Sequence, residues 1–475
     1  MNTTLNTPAL TDFVARHWNE QILPRLLEYI RLPCLSPHFD PAWEAHGWIE
    51  AAIQLAAAWC RSQPLPGLQV EIVRLPGRTP LLFLEIPGHT ERTVLFYGHL
   101  DKQPEMAGWR EGYGPWTPVL ENGRLYGRGG ADDGYAVFAA LTALLALEVQ
   151  GVPRPRAVVL IECCEESGSG DLPFYLELLV PRLGAVELII ALDSGCGNYE
   201  QLWITTSLRG LVAGTLTVEV LTSGVHSGDA GGLVPSTFQI LRLLLNRLED
   251  PTTGQILGGA FSCPIPAVRQ EQARQAGAVL GDWMLRKFPW AGHTRPLTVD
   301  PGEAILNRTW RPALSVIGAE GLPPLAEAGN VLLPRTTLIL SLRLPPRIDP
   351  ERAAEAVKRC LETDPPYQAQ VRFEPGQCSA GWDAPPLAPW LQAALDQASQ
   401  DYFGRPPMLM GEGGTIPFTA LLGQPFPQAQ YLITGVLGPH SNAHGPNEFL
   451  HLPYAKQLTC CLAQLLAVQA GRAPG

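Results

Sequence analysis

The sequence predicts an α/β fold: a larger domain with a mostly parallel sheet flanked by helices, and a smaller α+β domain inserted into it. Three observations predict it. The near-continuous apolar runs TVLFYGH (93–99), RAVVLIE (156–162) and VELIIALD (186–193) read as strands buried on both faces. An apolar helical stretch at 133–150 lies between the first two, which fits a parallel crossover. Past about Ile204 the pattern changes to longer, alternating strands and amphipathic helices, as in a sheet with one open face. A length of 475 residues also exceeds what one ordinary core accommodates.

In chain order, residues 9–32 form an amphipathic helical pattern ending near Pro33, and 41–62 a second one. LQVEIVRL (68–75) and LLFLEIP (81–87) are short strands separated by turn residues. The helix at 133–150 is opened by the glycine-rich turn GRGGADDG (127–134). RGLVAGTLTVEVL (209–221) is a long alternating strand, followed by a helix at 235–250 with proline near its start. Residues 251–312, rich in Pro, Gly and Trp, carry no readable period. Strands follow at 313–318 and 336–344, and a helix at 350–363. Beyond Ser379 come a helix (389–403), a glycine loop (411–417), a strand (428–433) and a closing helix (453–470). The expected division is therefore residues 1–206 with 379–475 as the larger domain and 207–378 as the insertion.

Composition narrows the function classes. Apolar residues make up 46% and charged ones 17%, the balance of a soluble globular protein. The net charge is −11 and no basic block exists, so nucleic acid is not an expected partner. The start of the chain lacks a basic segment followed by an apolar one, and no apolar run is expected to span a membrane. The ten cysteines are scattered or sit in adjacent pairs, never at C-x-x-C spacing, which reads as reduced, buried thiols in a cytoplasmic protein.

Potential metal ligands gather where the strands end. His99 and Asp101 follow the first apolar run, Glu165 and Glu166 the second, and Asp193 ends the third. Asp132 lies in the glycine-rich turn and His444 in the late loop AHGPNE, where His440 is a rival. Ligands of open α/β sheets bind beyond the carboxyl ends of the strands. Imidazole and carboxylate suit zinc, and a pair of ions needs one bridging carboxylate plus terminal ligands. Asp132 suits the bridge, with His99 and Asp193 on one side and Glu166 and His444 on the other. Asp101 would orient the His99 ring. Glu165, adjacent to a ligand but free, is then the candidate general base. Each residue alone has an ordinary reading. Asp before a helix is a favoured N-cap, and a lone histidine after a strand is commonly structural.

At this point the residues resemble a known family. It is the dinuclear zinc peptidases that include carnosine-type and nonspecific dipeptidases, acylases, acetylornithine deacetylase and glutamate carboxypeptidase. The matching stretches are GHLD (98–101), GRGGADDG (127–134), ECCEESGS (162–169), LD (192–193), SGVHSGDAGG (223–232), NVLLP (330–334), SLRLPP (341–346), GEGGTIP (411–417) and AHGPNE (443–448), in family order. The resemblance implies a dinuclear centre, with His99, Asp132 and Asp193 on one metal and Asp132, Glu166 and His444 on the other. It selects His444 over His440, makes Glu165 the general base, and implies a cis peptide between Asp132 and Asp133. Zinc is the expected metal, and manganese or cobalt fit the same donors.

The resemblance further implies that the inserted domain is a lid that forms a homodimer. His226, and Asn330 beside it in role, would then serve the partner's active site. The other reading of His226 is a loop histidine capping local carbonyls. Arg343 would hold the substrate's terminal carboxylate, or else form an edge-strand salt bridge. In the dipeptidase branch, Glu412 would anchor a free α-amine, with the Gly414 and Thr415 backbone N–H groups near the substrate. The expected activity is hydrolysis of dipeptides or short peptides by a two-metal activated water. The alternatives are an N-acyl amino-acid deacylase or carbamoylase of the same fold, and a metal- or peptide-binding protein without catalysis. Ala380-Gly381-Trp382 stands where some dipeptidases carry a substrate-contacting histidine, so the peptide preference stays open.

Overall fold

In a computed structural model, residues 5–416, 418–423 and 425–472 are described. Residues 1–4 of the N-terminal stretch and Pro417, the last residue of GEGGTIP, lie outside them.

The apolar runs form the centre of a six-stranded sheet. Its order is Gln69–Val73, Leu81–Ile86, Pro155–Glu162, Thr90–His99, Val186–Ala191 and Gln430–Ile433. The last four are mutually parallel and the first two antiparallel. Parallel pairing aligns carboxyl ends, so His99 stands level with Glu162, and Ala191, two residues before Asp193, ends the next strand. The helix Ala136–Gln150 makes the crossover from Thr90–His99 to Pro155–Glu162, and Leu172–Leu183 the next one.

The stretch Gly130–Gln150 is, against expectation, long and apolar enough to cross a membrane by length and composition, but its apolar window is wholly buried inside the protein. It is covered on one side by the sheet and on the other by the helices Thr7–His17 and Leu452–Gly471. A helix apolar on every side is a core helix.

The N-terminal helical pattern runs from Thr7 to Ile30 with a wider turn at Trp18–Ile22, just before Pro24. The second breaks into Trp43–His46 and Trp48–Ser62 at Gly47, whose φ is 72°. That left-handed value is open to glycine at little cost.

The alternating strands build a separate antiparallel sheet ordered Ala313–Glu320, Arg335–Leu344, Gly210–Glu219 and Gln370–Ser379. One face packs under the helices Thr237–Leu248 and Pro350–Glu362 in its own core, with Leu216, Val218, Leu340 and Leu342. The other face leaves Ile339 43% exposed, as expected of a sheet with one open side. Residues 251–312 contribute the helices Ala267–Leu280, Trp283–Arg286 and Pro301–Thr309. Their apolar residues Ala276, Leu280, Met284, Ile305 and Leu306 join the larger core, not that of the four-stranded sheet. Residues 267–310 therefore pack on the larger body although they fall inside the span 207–378, whereas Phe261 joins the core of the four-stranded sheet.

Two small sheets complete the frame around the site. Met408–Glu412 pairs in parallel with Trp203–Leu208 and carries Glu412 at its end. Phe449–His451 pairs with Arg124–Tyr126, which brings the His444 loop beside the turn at 127–134.

Candidate active site

The turn after Arg124–Tyr126 is tightly enclosed. Gly129 has φ 81°, and a Cβ there would lie 2.6 Å from Lys102 Cε. Gly134 passes so close to Tyr29 that a Cβ would lie 2.2 Å from its Cε1. These glycines let the backbone descend between helix and sheet and bury Asp132 and Asp133. The Asp132–Asp133 peptide is cis, as the resemblance implies. Asp132 does not cap the helix that follows, where Tyr135 is the N-cap and makes no side-chain bond.

The Asp132 carboxylate points one oxygen at each of two histidines. Oδ1 lies 3.3 Å from His99 Nε2, and Oδ2 lies 3.0 Å from His444 Nε2. Asp193 Oδ2 is 3.9 Å from His99 Nε2, and Glu166 Oε2 is 3.4 Å from His444 Nε2. Two donor groups result, His99–Asp132–Asp193 and Asp132–Glu166–His444, each with its ligand atoms within 4.8 Å of one another. His440 is elsewhere, edge-on to Trp283 with ring centroids 4.7 Å apart.

The tautomer of His99 follows from its neighbours. Its Nδ1 donates to the Asp101 backbone carbonyl at 3.1 Å, which leaves Nε2 free to bind a metal. That buried Nε2 has no hydrogen-bond partner among the described residues. The ring is thus oriented mainly by the Asp101 backbone, with the carboxylate at 3.5 Å. The Asp101 carboxylate also accepts from the Glu165 and Glu166 N–H groups, at 3.1 and 2.9 Å. One buried carboxylate therefore fixes the loop that carries both glutamates.

Electrostatics describe a site short of positive charge. Burial, with Asp193 second, holds the Glu165 carboxyl well above the usual carboxylate range. Burial and the charge of Asp132 raise Glu166 to about 8, and burial raises Asp193 to about 6. Burial also opposes ionisation of Asp132, but the His444 ring, and next the His99 ring, outweigh it and hold its pKa low. Clustered carboxylates with imidazole nitrogens aimed among them, one unpartnered, are the donor set of a cation site. The residues fit divalent metal ions.

The substrate-side residues lie in two groups. Arg343 reaches Thr415 Oγ1 at 3.3 Å, and Thr415 Oγ1 in turn donates to the Arg209 carbonyl. The Gly414 carbonyl accepts from Arg209 N at 3.0 Å, and open space faces the Gly414 Cα. Glu412 Oε2 pairs with Arg308 at 3.0 Å on the wall of a cavity of about 650 Å³. The same cavity is lined by Gly195, close after Asp193, and by Asn442 and Pro446, either side of His444.

His226 and Asn330 come together, away from these groups. The ribbon Val225–His226 pairs with Val331–Leu332, and Ser227 N donates to the Asn330 carbonyl at 2.9 Å. Both residues are exposed, and His226 Nδ1 accepts from Gly228 N at 3.1 Å. Among the described residues, no hydrogen bond or ion pair links either of them to the ligand cluster.

Comparison with known proteins decides the family. Residues 95–468 match peptidase family M20/M25/M40, which spans every member of the ligand cluster. The chain belongs to this family. The cysteinylglycine-S-conjugate dipeptidase of Corynebacterium striatum is 27% identical over 442 residues, 90% of each chain. The Beta-Ala-His dipeptidase of Rattus norvegicus is 26% identical over 386 residues, 78% of this chain and 75% of that protein. Among solved structures, the di-peptidase Dug1p from Saccharomyces cerevisiae superposes with a TM-score of 0.80 at 20% identity, covering both chains fully. Human carnosine dipeptidase 1 gives 0.76 at 21% identity, covering 98% of this chain and 99% of its own. At these identities the structural likeness establishes the M20 fold.

Some residues of the M20 site escaped sequence reasoning. Gln103 Nε2 donates to Glu166 Oε2 at 2.7 Å. Glu448, buried, takes Arg128 at 2.6 Å on one oxygen and Gly129 N at 2.9 Å on the other. That pair clamps the Asp132 turn to the His444 loop. Glu448 ends the AHGPNE stretch and Gln103 follows Asp101 by two, so their positions were visible but their partners were not.

Proposed function

We propose that this M20 protein is a metal-dependent dipeptidase that hydrolyses the amide bond of free dipeptides with two divalent ions, zinc first among the candidates. The observation that carries this reading is the pair of donor groups sharing Asp132, with Glu165 beside them. That its relatives include proteins named as dipeptidases supports the substrate class.

In this reading His99, Asp132 and Asp193 would hold one ion and Asp132, Glu166 and His444 the other. Bound divalent ions supply a water of lowered pKa and polarise the scissile carbonyl. Glu165 takes the proton of the attacking water and delivers it to the leaving amine nitrogen. Asp101 keeps Glu165 and Glu166 in register through their backbone N–H groups. Arg343 grips the terminal carboxylate of the substrate, with Thr415 and Gly414 lining its path. Glu412, paired with Arg308 through Oε2, accepts the α-amine.

We also propose a homodimer built through the domain 207–378, inserted into the catalytic domain of 1–206 and 379–475. His226 of the partner subunit then stabilises the developing oxyanion, assisted by Asn330 of the partner subunit. Support comes from exposed apolar residues on the four-stranded sheet, where Val316 is 48% and Ile317 64% accessible on an edge strand. Long, apolar edges are sites of association. Ten free thiols are in keeping with a cytoplasmic location.

The test is a panel of free dipeptides against N-acetyl amino acids, with added zinc or manganese and a chelator control. Cleavage of free dipeptides, lost on chelation, is expected. Cleavage of acylated substrates alone would move the protein to the deacylase reading, in which Glu412 has no cationic substrate group to bind.

A further inference from the structure

The substrate-side cavity carries a charge pattern that amide hydrolysis does not require. One wall of it comes from the stretch 251–312. Trp283, Met284 and Phe288 make that wall apolar, Lys287 and Arg308 are its cations, and Glu412 is the one acid among the described lining residues. Arg308 is committed to Glu412 at 3.0 Å, and its buried Nε has no hydrogen-bond partner among the described residues. Lys287 is half-buried, with Nζ 5.2 Å from the Phe288 ring centroid. Among the described residues no ion pair and no side-chain hydrogen bond holds that ammonium. Burial lowers Lys287 to about 8; Arg308 pushes the same way and Glu412 opposes.

We propose that Lys287, backed by Arg308, recognises a carboxylate side chain on the substrate's first residue, so that dipeptides beginning with Asp or Glu are the preferred class. The proposal rests on the dipeptidase reading above. Charge favours such substrates. Two cations face one acid, so the cavity is already net positive. A dipeptide with a neutral first side chain brings its α-ammonium into that field. One with an acidic side chain brings ammonium and carboxylate together and adds no net charge. The ammonium goes to Glu412 and the carboxylate to Lys287. An ammonium partly withdrawn from water and lacking a counter-ion gains most from such a partner.

The experiment compares kcat/KM of the metal-loaded protein for Glu-Gly, its neutral isostere Gln-Gly, and Lys-Gly. Glu-Gly is expected to exceed Gln-Gly by about tenfold or more. The K287M variant should bring that ratio towards one, K287R should keep most of it, and K287E should shift preference towards Lys-Gly. If a variant fails to fold, the wild-type ratio and the K287R ratio still decide. A wild-type ratio near one, or a ratio untouched by K287M or K287E in folded protein, overturns the proposal. Equal cleavage of Gln-Gly and Glu-Gly removes the pocket assignment alone. Cleavage of N-acetyl amino acids but of no free dipeptide removes the dipeptidase reading and the pocket with it.

Discussion

Glu165→Gln keeps the size and the backbone bond to Asp101 but cannot accept a proton. Turnover should fall by about a hundredfold to ten-thousandfold or more, while metal analysis of the purified variant finds the wild-type content. A variant that loses metal in proportion to activity would make Glu165 a ligand instead. Lys287 makes a prediction about pH. Its pKa is lowered to about 8, so it is charged below that value and neutral above it. The groups facing it are Arg308 and Glu412, with His440 also on the cavity wall. The Glu-Gly to Gln-Gly ratio should therefore decline as pH rises through about 8. The α-amines of the two substrates titrate close together and largely cancel from the ratio. Residues at this scale were legible where chemistry coincides with a strand end: His99, Asp193 and the two glutamates sit where apolar runs stop. Lys287 and Arg308 were not, because neither sits at such an end and only the tertiary fold turns them towards Glu412.

At the scale of elements, the site depends on two loops held together. Arg128 and Glu448 form a pair at 2.6 Å with side chains 1% and 0% exposed. Removing one partner leaves the other charge buried alone, so Arg128→Ala or Glu448→Ala should cost about 3–5 kcal/mol by urea denaturation. The parallel strands were readable because burial on both faces writes an unbroken apolar run. Gln370–Ser379 was missed: it lies at a sheet edge, is largely exposed, and contains Pro375. The helix Ala267–Leu280 was hidden for a related reason. Its buried residues include Arg269, Ala273, Ala276 and Gly277, which give a weak apolar stripe.

For the whole molecule, the proposed dimer has a test that contacts alone do not supply. E165Q and H226A should each be nearly inactive, the first for lack of its own base and the second for lack of a group serving its partner. Random reassortment of the two gives half mixed dimers with one intact site of two, so mixing after dissociation should restore about a quarter of wild-type activity. No recovery, with mixed dimers present, would place His226 in its own subunit's chemistry or outside it. Metal binding is coupled to the stability of the folded chain. At a hundredfold excess over Kd an ion adds about 2.7 kcal/mol, so chelation should lower the melting temperature by roughly 2 to 5 °C. The sequence could show the order of the motifs and the change of pattern near Ile204. It could not show that 267–310 folds back onto the larger core, since that is a matter of which apolar face meets which.

The most direct measurement of the central claim is a metal titration of the chelated protein, following bound ion and dipeptide hydrolysis together. A centre built on a shared Asp132 predicts two ions per chain at saturation, with hydrolysis restored as they bind. Full activity in the chelated protein, or full activity with one ion at saturation, would contradict it.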